Sequence, residues 1–232
     1  MDVQDYFSRL NSESQWIFKQ SILKKEILGE LHHLSSCIYE FSVFIVDQKE
    51  KTILETVSTQ LESSNYNLTL GLYRQAFSSL RLALEMGLAA IYFSASKLEL
   101  HEWLDGRMDI KWSRLIDEDN GVLSKRFAMA FFSDLIDDVE DYRKKAISVY
   151  RKLSEYVHGN NETWVNGGIK IVYNEGLFDQ YCTYYRTVFE VILFSSMCRY
   201  VKSFDESDRE SLQFLPEEFS HILKIRELFG RS

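Results

Sequence analysis

Hydrophobic residues recur at helical spacing along most of this chain of 232 residues. The strongest pattern covers residues 66–97, where apolar side chains return every three to five positions, as one face of an α-helix requires. These positions are Leu68, Leu72, Phe77, Leu80, Leu84, Leu88 and Ile91. Small residues at Ala83, Gly87 and Ala90 would let a neighbouring helix approach closely. The pattern therefore predicts a long core helix.

Helical periodicity also covers most of the remaining chain. The other long stretches that show it are residues 12–34, 37–63, 122–158 and 177–204. Residues 122–158 could form one helix or two. Residues 98–120 predict a shorter helical connection, and residues 207–229 predict a final helical segment interrupted at Pro216. Residues 163–173 carry Gly167-Gly168 between apolar runs, which predicts a small β-hairpin or a plain loop.

Turn-forming residues are scarce. The chain has one Pro and ten Gly in 232 residues, whereas sheet-rich proteins need many turns and carry more of both. The composition therefore favours an all-α fold, a bundle of five or more helices. No internal repeat or flexible linker divides it, so we expect a single domain over residues 1–232. Its core would span residues 66–204, with helices over 12–63 before it and the segment 207–229 after it.

The chain is acidic, with a net charge of −8. Binding to nucleic acid is driven by neutralising phosphates, so this charge argues against a protein that coats DNA or RNA. It leaves room for a small local basic site.

The cysteines and the apolar windows indicate the compartment. Cys37, Cys182 and Cys198 form no pair at metal-binding spacing, and an odd number makes no disulfide framework. The N-terminus is acidic and polar, unlike a signal peptide. The most apolar windows, residues 82–95 and 188–197, are too short to span a bilayer. We therefore expect a cytoplasmic protein that does not bind membranes.

The most informative motif closes the helix predicted to end at His158. Arg151 and His158 stand seven residues apart, which places them on one helix face about 10 Å apart along the axis, with Ser154 between them. An imidazole moves protons near neutral pH, and a guanidinium holds phosphate oxygens. The pair therefore suits chemistry on a phosphodiester. In the alternative interpretation, His158 caps the helix end and Arg151 pairs with Glu155.

A second charged pair lies inside the most apolar helix. Arg81 and Glu85 are four residues apart, hence on one face. They could form a solvated ion pair. Alternatively, they could form a polar seam facing Arg151 and His158, because buried charges need partners. In the seam, Glu85 would orient His158 or pair with an arginine, and we predict this placement.

Other candidate sites are weaker. His32 and His33 are adjacent and face different sides of a helix, and His101 and His221 lack partners at ligand spacing, so no zinc site is predicted. The acidic run over residues 134–141 reads as a solvated helix face, with a metal-dependent hydrolase as the alternative. The chain has no glycine-rich phosphate loop, and we expect no cofactor. An aromatic stripe predicts core plus an association surface: Phe178, Tyr181, Tyr184, Tyr185 and Phe189.

The Arg151-x6-His158 element, followed by Gly159 and preceded by the Leu-Arg-x-Ala-Leu-Glu pattern ending at Glu85, resembles the HEPN superfamily (higher eukaryote and prokaryote nucleotide-binding domains). The resemblance covers roughly residues 66–204. Many members carry a polar residue, often Asn, directly after the arginine, where this chain has Lys152. The spacing between Arg151 and His158 is the longest that the motif permits.

The resemblance implies a function. Active members are metal-independent endoribonucleases that work as dimers, and many serve in toxin–antitoxin or antiphage systems. The implied catalytic residues are Arg151 and His158. Ser154, Arg81 and Glu85, chosen above from the helix pattern, would be accessory residues. The implied partners are a second copy, an RNA substrate, and an antitoxin or another defence-complex subunit. Inactive relatives are binding or assembly modules, so a non-catalytic helical interaction subunit is the alternative.

Overall fold

The computed structural model describes residues 2–158 and 171–231, and over these ranges the chain forms helices and no strand. The all-α prediction is therefore confirmed. The α-helices are α1 Val3–Ser21, α2 Lys25–Val43, α3 Gln48–Thr69, α4 Tyr73–Ala95, α5 Lys97–Leu104, α6 Trp112–Leu115, α7 Lys125–Phe131, α8 Val139–His158, α9 Glu175–Tyr200, α10 Glu206–Ser211, α11 Phe214–Glu218 and α12 Leu223–Leu228. Most of the hairpin predicted over residues 163–173 lies outside the described residues.

Helix α4 is the centre of the bundle. It packs against α3, α8 and α9, and its predicted core positions Leu80, Leu84, Leu88 and Ile91 are fully buried. Contrary to the sequence estimate, α4 is long and apolar enough to cross a membrane by length and composition. However, 61% of its most apolar window is buried inside the fold. A buried core helix can be as long and as apolar as a helix that spans a membrane. The burial of α4 against its neighbours is that of a core helix.

The three helices predicted over residues 12–97 were wrong in number and boundaries, because the structure has four helices, α1–α4, over residues 3–95. The chain turns after Ser21, and α2 begins at Lys25. Helix α3 begins where the Asp47 side chain accepts hydrogen bonds from the backbone N–H groups of Lys49 and Glu50. Between α3 and α4, Gly71 has φ 75°, a conformation that favours glycine. The apolar periodicity continues across these positions, so it did not reveal the local caps and turns that end and begin the helices.

Two helices occupy residues 122–158. The Ser124 hydroxyl caps α7 by accepting from the Phe127 N–H, and α7 ends at Phe131, where the next residue leaves helical geometry. Helix α8 then begins at Val139. At the C-terminal end, Pro216 lies inside the first turn of α11, where a proline is tolerated. The predicted break is therefore not at Pro216, and the helical segment is interrupted before and after α11 instead.

The aromatic stripe of α9 is core, as predicted, at Phe178, Tyr181, Tyr185 and Phe189, while Tyr184 is half-buried. The two buried tyrosine hydroxyls find partners. Tyr181 donates to the side-chain oxygen of Asn65 over 2.9 Å, and Tyr185 donates to a backbone carbonyl of α2 over 2.9 Å. These bonds tie α9 to α2 and α3, because a buried hydroxyl without a partner would be costly.

The close approach of α4 and α9 at Gly87 generates a first prediction. A Cβ added at Gly87 would lie 2.7 Å from Cγ1 of Ile192, whereas one added at Gly29 in α2 would meet nothing within 4 Å. Overpacking costs roughly 1–3 kcal/mol, and alanine gains about 1 kcal/mol over glycine in a helix. We expect Gly87→Ala to lower the free energy of unfolding and the matched Gly29→Ala to raise it. Urea unfolding measures both, and a Gly87→Ala midpoint above wild type would contradict the packing.

The three cysteines generate a second prediction. All are free and buried, and burial raises the pKa of Cys37 and Cys198 to about 12 and of Cys182 to about 11. In the unfolded chain a thiol has a pKa of about 8.5. The protonated thiols therefore stabilise the fold fully below about pH 8.5, and this contribution is lost as pH rises toward their folded pKa values.

We expect the free energy of unfolding, measured in urea, to fall between about pH 8.5 and pH 10, before most tyrosines ionise. The triple alanine variant of the cysteines should lose most of this fall. A thiol reagent should leave the folded protein unmodified at neutral pH and label three thiols per chain after unfolding. Rapid labelling of the folded protein would show that the thiols are accessible.

Candidate functional site

Helix α8 presents Arg151 and His158 on its solvent side. The opposite side is core, with Val149, Leu153 and Tyr156 buried, whereas Arg151 and His158 are both exposed. The sequence expectation that the two side chains leave one face of a helix is therefore met. The helix is amphipathic, and its polar face leaves both groups open to a ligand.

An aromatic stack and a hydrogen bond are among the contacts that join the C-terminal end of α8 to α4. The Phe77 ring stacks on the Tyr156 ring, with centroids 3.7 Å apart and planes at 18°. Beside this stack, Arg74 Nη2 donates to the Val157 carbonyl over 3.1 Å. A carbonyl in the last turn of a helix has no partner within the helix, so an arginine from outside satisfies it and complements the helix dipole.

Arg81 reaches His158 from α4. Its Nη1 lies 3.4 Å from His158 Nε2, and its Nη2 donates to the Tyr150 hydroxyl over 2.7 Å and to Glu85 Oε1 over 3.2 Å. The Tyr150 ring in turn stacks on Trp112, with centroids 3.8 Å apart and planes at 4°. The Arg81 guanidinium thus joins α4 to α8, and the stack of Tyr150 on Trp112 joins α8 to α6.

The predicted polar seam is therefore present at His158, but it does not reach Arg151. Arg81 and Glu85 are mostly buried, with side-chain exposures of 17% and 23%, so they are not a freely solvated pair. Glu85 takes the second of its predicted roles, pairing with an arginine, and makes no hydrogen bond to His158 in the described part of the chain. Burial, followed by the charge of Glu85, raises the pKa of the Tyr150 hydroxyl, which stays protonated at neutral pH.

Arg151 lies apart from this seam. It lines an open groove of ≈ 510 Å³ on α8 together with Lys144, Ile147, Ser148, Lys152 and Glu155, and His158 does not line it. The predicted alternative, a pair between Arg151 and Glu155, does not form, because Glu155 lies 3.7 Å from the Lys152 amine instead. Ser154 donates its hydroxyl to the Tyr150 carbonyl of its own helix over 2.7 Å, a bond that serves the helix.

Charge pairing singles out Arg151. Each of the other lysines and arginines of α8 has a carboxylate within 4.0 Å. The pairs are Arg143 with Glu140 and Glu118, Lys144 with Glu140 and Asp141, Lys145 with Glu190, and Lys152 with Glu155. Within residues 2–158 and 171–231, Arg151 has no hydrogen bond or ion pair. Among the lysines and arginines of α8, it is the one that lacks a carboxylate partner in these ranges.

The other histidines and the acidic run contribute no metal site to the described residues. No group of three or more His, Cys, Asp or Glu converges there to hold a metal ion. His32 contacts Glu62, and His221 contacts the Tyr142 hydroxyl. In the acidic run, Asp134 pairs with Lys202, and burial raises the pKa of Asp138.

Sequence reasoning missed three residues of this site: Arg74, Trp112 and Tyr150. A signal for Arg74 was available, since it precedes Arg81 by seven residues, the spacing that also separates Arg151 from His158. Two arginines two turns apart on one face of an apolar helix predict that each has a polar partner on a neighbouring helix. The contact of Trp112 with Tyr150 depends on how the connection between α5 and α7 folds back, and no local pattern reveals it.

No family model, curated protein or solved structure matches this chain. The interpretation of the site therefore depends on its own chemistry. It combines an exposed imidazole in contact with a guanidinium and, about two turns away on the same helix, an arginine that has no partner in the described part of the chain. Such an arrangement can bind an oxyanion and move a proton near neutral pH.

Proposed function

We propose that this protein is a HEPN-like, metal-independent endoribonuclease that acts as a homodimer in the bacterial cytoplasm. The observation that carries the proposal is the exposed face of α8, which carries both His158 and an Arg151 that has no partner among the described residues. The family resemblance supplies the biological setting, a toxin–antitoxin or antiphage system. An antitoxin or another defence-complex subunit would then be a natural partner.

RNA carries its own nucleophile, which makes a metal unnecessary. The 2′-oxygen attacks the adjacent phosphorus, the bond to the 5′-oxygen breaks, and a 2′,3′-cyclic phosphate and a 5′-hydroxyl result. A base removes the 2′-hydroxyl proton and an acid protonates the leaving 5′-oxygen. His158 suits either role, and Arg151 would stabilise the charge that develops on the phosphoryl oxygens. DNA lacks the 2′-hydroxyl and would not react.

A two-fold dimer would complete the site. One chain offers one His158, whereas the reaction needs both a base and an acid, and two copies supply both. Arg151 and His158 of one chain are about 10 Å apart along the axis of α8. The Arg151 groove also has a half-exposed apolar residue, Ile147, at 39% exposure, beside charges of both signs. Such a surface can be complementary to itself, so α8, with the neighbouring α9, is the proposed interface.

A second candidate function is a non-catalytic interaction subunit that keeps the fold. The observation that favours it is the charge balance along α8, where the lysines are paired with carboxylates and add little net positive field for RNA. The net charge of −8 points the same way. In this role the Arg151 groove would bind a protein partner.

Catalysis generates the third prediction. We expect the pure protein to cleave mixed RNA in EDTA, and His158→Ala to abolish cleavage while leaving the fold intact, because the ring is exposed at a helix end. Arg151→Lys should lose most of the activity although it keeps the charge, since lysine cannot make a bidentate phosphate contact. A DNA oligomer of the same sequence should survive. Gel analysis of end-labelled oligomers, with circular dichroism of each variant, measures these outcomes.

His101→Ala is the matched control, because His101 lies on α5 outside the site. It should cleave like wild type. Equal activity of wild type and His158→Ala would reject the enzymatic proposal. So would activity that disappears in EDTA and returns with Mg²⁺, which would favour a metal-dependent hydrolase.

Dimerisation generates the fourth prediction. We expect a dimer in sedimentation at tens of micromolar, and we expect Ile147→Asp to shift it toward monomer, because a carboxylate would be buried at the proposed interface. Leu98→Asp is the control, since Leu98 is an exposed apolar residue on α5 with 74% exposure. A wild-type protein that sediments only as a monomer would count against the composite site.

A further inference from the structure

Arg81 is the most constrained cation of the site. A guanidinium has five N–H donors and no acceptor. Two donors of Arg81 are used on Nη2, toward Tyr150 and Glu85, and one on Nη1, toward His158. The Tyr150 ring also lies under the guanidinium, with Cζ 4.6 Å from the ring centroid. The group is therefore held from several directions, and its Nε is buried without a hydrogen-bond partner among residues 2–158 and 171–231.

This geometry fixes the hydrogen on the imidazole. Because Arg81 can only donate, His158 Nε2 must be the acceptor in the 3.4 Å contact. A neutral imidazole carries hydrogen on one nitrogen and a lone pair on the other, so its hydrogen lies on Nδ1. The tautomer thus follows from a neighbour whose own protonation state does not change near neutral pH.

We infer that Arg81 is the positioning residue of His158: it holds the neutral ring in the Nδ1–H tautomer and covers Nε2 in the free protein. The catalytic consequence, though not the tautomer itself, rests on the proposed function. If His158 takes a proton from a 2′-hydroxyl at Nε2, Arg81 must first part from that nitrogen. An anionic phosphate oxygen is a stronger acceptor for a guanidinium than a neutral imidazole, so the substrate itself would draw Arg81 away.

The neighbours of Arg81 explain why it, and not Arg151, positions the His158 ring. Glu85 offsets its charge at 3.2 Å, and the Tyr150 hydroxyl accepts at 2.7 Å from a ring that Trp112 holds by stacking. Arg151 cannot take this role in the free chain, because it stands about two turns along α8 and lines a groove without His158.

The test is the ¹⁵N spectrum of the histidine side chains at about pH 8.5, well above the ordinary histidine pKa of about 6.5. A ring nitrogen that bears hydrogen and one that does not give separate shifts, and His158→Gln assigns the signals. We expect wild-type His158 to carry hydrogen on Nδ1. Arg81→Met, which keeps a long side chain but has no donor, should shift the ring toward the Nε2–H tautomer, which free histidine prefers.

Arg9→Met is the matched control. Arg9 forms an i,i+4 pair with Glu13 over 2.8 Å on α1, like Arg81 with Glu85, but has no histidine beside it. It should leave the His158 spectrum unchanged. If Arg81→Met does not fold, Tyr150→Phe removes one anchor of Arg81 and keeps the ring, and a mixture of the two tautomers is then expected.

The Nε2–H tautomer in the free wild-type protein would overturn the inference, as would a spectrum that is the same in wild type and folded Arg81→Met. No RNA is present in this experiment, so its outcome is separate from the cleavage assay. A protein that shows the Nδ1–H tautomer but cleaves no RNA would reject the proposed nuclease and retain the role of Arg81.

Discussion

The contact between α4 and α8 is the interaction on which the site depends. Phe77 and Tyr156 are buried and stacked, and they fix the distance and rotation of the two helices at one level. Aromatic pairs of this kind contribute roughly 0.5–1.5 kcal/mol beyond the area they bury. Their larger effect is geometric. Arg74 and Arg81 lie on either side of the stack along α4, and they can contact the last turn of α8 only when the stack keeps the two helices together.

The polar groups at this interface are coupled to one another. Arg81 lies in the most apolar helix, where a charge without partners would destabilise the fold by several kcal/mol. Glu85, Tyr150 and His158 together reduce that cost. The exception is the buried Nε of Arg81, which has no hydrogen-bond partner in the described ranges of the chain. A guanidinium that lacks one hydrogen bond, beside an exposed imidazole, is typical of functional sites. At such sites, residues are selected for binding a ligand rather than for stability.

The fold was largely predictable because it depends on local patterns. The apolar stripe of α4, the amphipathic α8 and the aromatic α9 all follow from periodicity. The boundaries near Ser21 and Gly71 were not predicted, because the apolar positions continue across them and only a turn or a positive φ ends the helix. Periodicity indicates which face of a helix is buried, but it does not detect a break of two or three residues.

The site was predictable only in part, for a different reason. Arg151, His158, Arg81 and Glu85 could be chosen from the sequence, since charges in apolar or amphipathic helices require partners. Which arginine meets which partner depends on the rotation of α4 against α8, and a pattern along one helix does not contain that rotation. The resemblance to a family joins Arg151 to His158 by their spacing, whereas packing places Arg81 beside the imidazole. The two arginines thus lie in different environments. Arg81 is mostly buried and contacts the ring that we infer it positions. Arg151 is exposed and has no partner among the described residues, and under the proposed function it would meet a phosphate or the surface of a second chain.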